Sequence, residues 1–292
     1  ISGSEPFAYP TPSVEVTGLA IDSQDRPVLT GVFVEHVTLC YPGTAVGWHG
    51  SYVARLTVPG NLDPSFHGSG VLEIADMADA SRPTLASTNR ILYVGAGETQ
   101  CLRGAPGGPT TLTALGEDGQ LDLGFGTNGY VALGPIEPRA MGVDRRGRIF
   151  IAGPILESSE YEEEPELKMV MISPAGVLNA EFGYRGFAHI PSWMSTSAIA
   201  IDRLGRILLA GSDLIEPLKR SRFQLVRMKP SGKIDRRFGH GGSVRTGFGG
   251  RTLAEPTEIL VDPHGRILVG GVISSPRLGA GNGVGLARYL GG

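Results

Sequence analysis

Long apolar runs, basic clusters and helical periodicity are all missing from this sequence. No apolar stretch approaches the roughly 18 residues that a membrane-spanning helix needs, so we expect no membrane span. Lys and Arg number 26 against 29 Asp and Glu, with a net charge of -3 and no Lys/Arg-rich run. A nucleic-acid partner is therefore not expected. No helical period of useful length occurs, which favours an all-β chain.

Metal-ligand and nucleophile motifs are missing as well. The six histidines form no His-x-x-x-His pair or other metal-ligand spacing. The segment GHGGS at 239–243 lies in a predicted turn between strands, not at the strand-to-helix elbow of a catalytic serine. The glycine cluster at 279–283 precedes a strand instead of a helix, so it is no phosphate-binding loop. The sequence predicts no catalytic residue and no cofactor.

Turn-forming residues are abundant, and two phrases repeat. Gly and Pro, 44 and 21 residues, are spread along the chain, which is typical of frequent turns. One phrase occurs as LDPSFHGSG from Leu62, LDLGFGTNG from Leu121, LNAEFGYRG from Leu178 and IDRRFGHGG from Ile234. The other ends in the glycines Gly31, Gly95, Gly153, Gly211 and Gly271, which are 64, 58, 58 and 60 residues apart. A fixed period of this length predicts a solenoid, a propeller or an array.

Each repeat is predicted to hold four antiparallel strands, a to d. The a–b connection is an Asp-x-x-Gly turn. In the LDxxF phrase, which joins c to d, the Asp or Asn accepts a backbone hydrogen bond, the Phe packs between blades and the last Gly takes a positive φ. Four strands in about 58 residues make a propeller blade, so we predict one five-bladed β-propeller domain over 1–292. Its units are 19–74, 85–133, 141–190, 199–246 and 259–290.

The phrase between c and d has no fifth copy, because the last repeat stops after strand c. Phe7 lies 15 residues before Asp22, as Phe187 lies 15 residues before Asp202. We therefore expect residues 7–9 to supply the missing outer strand of the last blade and to close the ring.

The two phrases resemble those of the bacterial delta-60 repeat family, over about residues 19 to 290. The matching positions include Asp202, Gly205, Arg206, Gly211, Arg227, Gly232, Asp235, Phe238, Gly239 and Gly242. The second unit departs most, with a shortened a–b turn. The resemblance implies a β-propeller, often in surface or secreted bacterial proteins, and brings no catalytic residues.

The predicted b–c loops differ between repeats, so binding residues are expected there. The loops span 32–50, 96–109, 154–166, 212–222 and 272–283. With a d–a loop on the same face, they supply these candidates: Trp48, His49, Trp193, Glu160, Tyr161, Glu163, Lys219 and Arg220. The glutamates of 157–166 form a solvated acidic loop, facing the basic loop of the next blade, or alternatively a structural calcium site. Each Trp either binds a ligand or packs locally.

Cys40 and Cys101 are the only two cysteines, and both are predicted in b–c loops of adjacent blades. A disulfide between them would favour an extracytoplasmic protein. The alternative is two unpaired thiols.

The leading interpretation is a non-enzymatic binding or scaffold propeller that is secreted or lies at the cell surface. Its b–c face is expected to bind a protein or glycan partner, either on its own or as a subunit of a larger assembly. The alternatives are a polysaccharide hydrolase or lyase and a lectin. A glycosidase needs two carboxylates about 5 to 10 Å apart. The acids that end strand a, Asp22, Asp144, Asp202 and Asp262, recur as turn residues and do not form such a pair.

Overall fold

The computed structural model describes residues 13–40, 44–75, 77–78, 84–85, 89–97, 110–155, 166–191, 194–215, 220–249, 252–274 and 282–291. No helix occurs in these ranges, and their strands form five antiparallel sheets, one for each sequence repeat. This is the arrangement of a five-bladed β-propeller, as predicted. The sheets are numbered blade 1 to blade 5 along the chain. The chain divides into two compact units, Ile1–Gly134 and Pro135–Gly292.

The first unit holds blades 1 and 2. Blade 1 contains β1 (Ser13–Ile21), β2 (Pro27–Cys40), β3 (Thr44–Arg55) and β4 (Val71–Ala75). Blade 2 contains β5 (Met77–Ala78), β6 (Thr84–Leu85), β7 (Ile91–Gly97), β8 (Thr111–Leu115) and β9 (Tyr130–Ala132). Both β5 and β6 pair with β7, so two short segments take the place of strand a in this blade.

The second unit holds blades 3 to 5. Blade 3 contains β10 (Ala140–Val143), β11 (Ile149–Pro154), β12 (Leu167–Ile172) and β13 (Ala188–His189), and blade 4 contains β14 (Met194–Ile201), β15 (Ile207–Ile215), β16 (Arg220–Met228) and β17 (Ser243–Thr246). Blade 5 contains β18 (Leu253–Val261), β19 (Ile267–Ser274) and β20 (Asn282–Tyr289). The fourth strand predicted for blade 5, residues 7–9, lies outside the described residues.

All five predicted b–c loops are shorter than the sequence suggested. β2 and β3 continue past Gly31 as one hairpin, with Val34 opposite His49 and Cys40 opposite Thr44. The predicted loop 32–50 is therefore wrong, and the other four predicted loops lose residues at one or both ends to strands. The reason is that the repeated glycine lies inside strand b and does not end it.

The repeated glycine faces a β-bulge in strand a. The register shifts between Val16 and Gly18 in β1, and the same irregularity recurs in β14 and β18. A Cβ added to Gly31 or Gly271 would collide with the carbonyl oxygen of Glu15 or Glu255 in strand a. A bulge brings the extra residue's backbone towards the partner strand, and only a glycine leaves room for it.

The LDxxF phrase has the predicted turn chemistry in all four copies. The side-chain oxygens of Asp63, Asp122, Asn179 and Asp235 accept hydrogen bonds from the backbone N–H two residues on, at 3.0, 3.1, 2.9 and 3.3 Å. The final glycines, Gly70, Gly129, Gly186 and Gly242, all have positive φ. The phenylalanines Phe66, Phe125, Phe182 and Phe238 are buried.

Three of these phenylalanines form part of the cores between blades. Phe66 packs with Val53 of blade 1 and with Ile91 and Tyr93 of blade 2. Phe182 lies in a cluster with Leu209 and the rest of a blade 3–blade 4 core, and Phe238 lies in the blade 4–blade 5 core. The predicted anchor role between blades is confirmed for these three phenylalanines, and Phe125 is buried as well.

Candidate functional site

The acids at the a–b turns hold the scaffold. Asp22 accepts hydrogen bonds from the backbone N–H of Gln24 at 2.8 Å and of Arg26 at 2.9 Å, and from Arg26 Nε at 2.7 Å. Burial by itself raises the pKa of Asp22, but these hydrogen bonds lower the pKa overall. The same set of bonds recurs at Asp144, Asp202 and Asp262. Each of these carboxylates is thus held by hydrogen bonds within its own turn, as the sequence indicated.

The structure describes only part of the predicted binding face. Trp48 and His49 lie within β3, not in a loop, and their side chains are outside the described part of the chain. Arg220 begins β16 and is exposed. Trp193, Glu160, Tyr161, Glu163, Lys219 and Cys101 lie outside the described residues, and Cys40 ends β2. The binding face and the disulfide remain predictions.

A cluster of polar side chains that the sequence did not reveal lies at the b–c end of blade 4. Thr196 and Gln224 both lie opposite Gly211, one on each neighbouring strand, and Arg245 lies opposite Gln224. Asp213 and Arg222 lie opposite each other two residues farther along. Directly opposed residues point to the same face of a sheet. We call Thr196, Asp213, Arg222, Gln224 and Arg245 the blade 4 polar cluster.

This cluster shares its face with part of the core between blades 3 and 4. Leu209 and Val226, two residues from Gly211 and Gln224, pack in one apolar cluster with Ala152 and Met169 of blade 3. Side chains two residues apart in a strand lie on the same face. The polar cluster therefore continues the blade 3–blade 4 cleft from its apolar centre towards the b–c end.

One carboxylate and two guanidinium groups form the outer part of the cluster. Asp213 is buried, and its Oδ2 lies 2.5 Å from Arg222 Nη2 and 2.9 Å from Arg245 Nε. The side chains of Arg222 and Arg245 keep 36% and 35% of their surface exposed. Both cations are therefore accessible to a ligand, whereas the carboxylate between them is covered.

The inner part of the cluster has hydrogen-bonding capacity that the described residues do not use. Gln224 is fully buried, and neither its amide nitrogen nor its amide oxygen has a partner in the described part of the chain. The same is true of the Thr196 hydroxyl and of Arg222 Nε. Leaving a buried polar group unpaired costs about 1–3 kcal/mol, so native proteins pair nearly all of them. These groups are suited to hold water or the hydroxyl and carboxylate groups of a ligand.

The cluster is particular to blade 4. The residue of strand c opposite the repeated glycine is Tyr52, Thr111, Lys168, Gln224 or Gly285 in the five blades. In blade 3 the Lys168 ammonium, 2.7 Å from Glu166, lowers the pKa of that carboxyl. In blade 5 a Cβ at Gly285 would contact Phe223 and Phe248, whose ring centroids are 4.8 Å apart. The strand-c position opposite the repeated glycine thus has a cation in blade 3 and an amide in blade 4. In blade 5 it has a glycine that lies against aromatic rings.

The described residues include no candidate metal site and no helix that could span a membrane. Within them, no group of three or more His, Cys, Asp or Glu side chains could hold a metal ion. Most of the acidic loop 157–166, the alternative calcium site predicted from the sequence, lies outside these ranges. No helix in the described part of the chain is long and apolar enough to cross a membrane.

The chain matches no protein-family model and no curated protein. Several solved structures align with it. The K499G mutant of NanB sialidase from Streptococcus pneumoniae aligns with a TM-score of 0.52 at 8% identity, over 89% of this chain and 53% of that chain. An endo-arabinase from Bacteroides thetaiotaomicron aligns at 0.44 and 9% identity, over 93% and 92%. The mannose phosphorylase MPT-4 from Leishmania mexicana aligns at 0.47 and 9% identity, over 88% and 78%. At 8% identity the likeness to the sialidase shows the fold alone.

Proposed function

We propose that this chain is a non-enzymatic binding propeller that acts outside the cytoplasm and engages a macromolecular partner through its b–c end. The single observation that carries the proposal is the blade 4 polar cluster. Its two accessible arginines and its buried, unpaired amide lie at the b–c end, where the loop sequences differ between repeats. The acids of the opposite end are engaged in turns.

An enzymatic role finds less support in the same geometry. Hydrolysis of a glycosidic bond needs a second carboxylate about 5 to 10 Å from the first. Asp213 is the one carboxylate of the cluster, and two guanidinium groups already occupy its Oδ2. Two arginines with a buried amide favour recognition of carboxylate and hydroxyl groups, as on an acidic protein or glycan.

Site-specific photo-cross-linking tests the proposal. A photoreactive residue replaces Arg220 at the b–c end, and a second sample carries it at Ala175, which is exposed in a c–d turn. Irradiation in the cells that make the protein, followed by mass spectrometry, should identify one partner from position 220 and not from position 175. The double variant R222A/R245A should lose that cross-link by roughly tenfold or more, because both accessible cations are removed.

Two outcomes would contradict the proposal. One is the same set of cross-links from both positions, or cross-links that persist in R222A/R245A. The other is release of reducing ends when the protein is incubated with a panel of acidic and neutral polysaccharides. Product release would show that the chain is an enzyme whatever it binds.

A further inference from the structure

The a–b and c–d turns of blades 3 and 4 carry an excess of exposed cations. The chain as a whole has a net charge of -3. The following side chains are exposed at this end of the second unit, and we call them the basic turn surface: Arg145, Arg146, Arg185, Arg203, Lys229, Lys233, Arg236 and Arg237. Positive charge is thus concentrated at one end of two consecutive blades, blades 3 and 4.

The turns that carry these cations are connected from blade to blade. The backbone N–H of Gly183 in blade 3 donates to the carbonyl oxygen of Ser231 in blade 4, at 3.1 Å. Arg206 and Arg227 of blade 4 donate to the carbonyl oxygen of Gly291 in blade 5. The cations therefore lie on one continuous surface of the second unit.

The acids of these turns do not neutralise the surface. Each aspartate is held by another arginine, in the pairs Asp144–Arg148, Asp202–Arg206, Asp235–Arg227 and Asp262–Arg266. Glu181 is the remaining acidic residue in the described turns of blades 3 to 5. The excess charge is uncompensated within this end of the unit.

The fold itself does not require these cations. At the same repeat positions, the a–b turn of blade 1 has Ser23 and Gln24 where blade 3 has Arg145 and Arg146. In blade 2, Glu117 and Asp118 occupy the c–d turn positions that Pro230 and Ser231 occupy in blade 4. The first unit thus builds the same turns with neutral and acidic residues.

Large apolar side chains project among the cations. Val177, Tyr184 and Leu204 lie in turns at the same end and are 61%, 68% and 71% exposed. Arg185 lies over the Tyr184 ring, with its guanidinium carbon 5.3 Å from the ring centroid. The cations and these apolar side chains all lie in exposed turns.

We propose that the basic turn surface docks onto an anionic lipid bilayer. Lys and Arg near an anionic membrane are attracted by its surface potential, and tyrosine and aliphatic side chains add affinity by entering the headgroup region. A broad array of turn tips matches a planar partner better than a single polymer chain, which charged proteins track with a groove. This surface lies at the opposite end of the blades from the proposed b–c binding face.

Co-sedimentation with lipid vesicles tests this inference. Vesicles of phosphatidylglycerol and phosphatidylcholine should bind the full chain, vesicles of phosphatidylcholine alone should not, and added NaCl should weaken the binding. The variant R145E/R146E should bind roughly tenfold or more weakly, because two attractive charges become repulsive. The control R139E/R220E changes the net charge equally, reverses exposed arginines at the b–c end and should bind like the unchanged protein.

Three results would overturn the inference. The first is equal binding to both kinds of vesicle, and the second is an equal loss in R139E/R220E and R145E/R146E. The third is salt-sensitive binding to dextran sulfate without binding to the anionic vesicles, which would assign the surface to a soluble polyanion. The four replaced arginines are exposed, so thermal melting should confirm that the variants are folded.

Discussion

Two buried arginines tie the c–d turn of their own blade to the next blade. Arg55 Nε donates to Asp63 Oδ2 at 2.8 Å and its Nη1 donates to the carbonyl oxygen of Glu117. Arg227 repeats this with Asp235 at 2.9 Å and with Gly291. A buried ion pair is favourable only when its remaining hydrogen bonds are also satisfied, and here the neighbouring blade supplies an acceptor.

The other blades balance this charge differently. In blade 3 the equivalent positions are Met171 and Asn179, so both charges are absent. In blade 2 the strand-c position is Ala114, and Arg90 from the start of strand b pairs with Asp122 at 2.7 Å. Each carboxylate at this turn position is therefore paired with an arginine, and blade 3 has the uncharged Asn179 there instead.

Removing one partner of the Arg227–Asp235 pair should be strongly destabilising. The replacement R227M leaves Asp235 buried without its cation, and we expect the free energy of unfolding to fall by about 3 kcal/mol. Urea denaturation monitored by tryptophan fluorescence measures the change. The double variant R227M/D235N copies the pair found in blade 3 and should recover most of the loss. A double variant no more stable than R227M would contradict this account of charge balance.

The repeated glycine and the bulge opposite it are the main irregularity of the strands. β1, β14 and β18 carry the bulge at equivalent positions, and Gly31, Gly211 and Gly271 lie opposite it. The extra residue raises the local twist of strand a. In blade 4 the glycine lies between Thr196 and Gln224 in the strand register, so it borders the polar cluster.

Two adjacent glycines of β19 give a matched test of this element. Gly271→Ala would place a methyl group against the Glu255 carbonyl oxygen and the Pro256 backbone, and should cost roughly 2 kcal/mol or more because backbone atoms must move. Gly270→Ala would meet Leu286 at an ordinary 3.8 Å and should change stability little. Thermal melting of both variants compares them. Equal losses would show that strand propensity, not the bulge, explains the glycine.

At the scale of the whole molecule, charge is distributed unevenly between the two units. The described turns of the first unit are acidic, with Asp25, Glu117 and Asp118 exposed, whereas those of the second unit carry the basic turn surface. An overall net charge of -3 therefore conceals a local basic excess. Net charge predicts solubility and non-specific attraction only as an average over the surface.

The predicted Cys40–Cys101 disulfide would link blades 1 and 2, and it supports a location outside the cytoplasm. We expect peptide mapping of the unreduced protein to find the two cysteines joined. Reduction should then lower the free energy of unfolding by roughly 4 kcal/mol, since the bond closes a long loop in the unfolded chain. The variant C40S/C101S should behave like the reduced protein. Two alkylatable thiols in protein purified under oxidising conditions would contradict the disulfide and remove this support for an extracytoplasmic location.

The sequence alone determined the blade number, most strands and the chemistry of the turns. These features are local: an Asp that bonds a backbone two residues on, or a glycine with positive φ, acts within a few residues, and the period repeats that signal. The sequence placed the end of strand b wrongly in blade 1, because a glycine inside a strand and a glycine at its end look alike until the partner strand is known.

Only the tertiary structure decided which polar residues meet. Thr196, Gly211, Gln224 and Arg245 lie on four different strands, and they form one row because strand register aligns them. A shift of one residue in any strand would turn its side chains to the other face of the blade. The basic turn surface likewise arises when turns from blades 3 and 4 come to one end. Register and blade order are long-range properties, so composition and local pattern did not reveal either site.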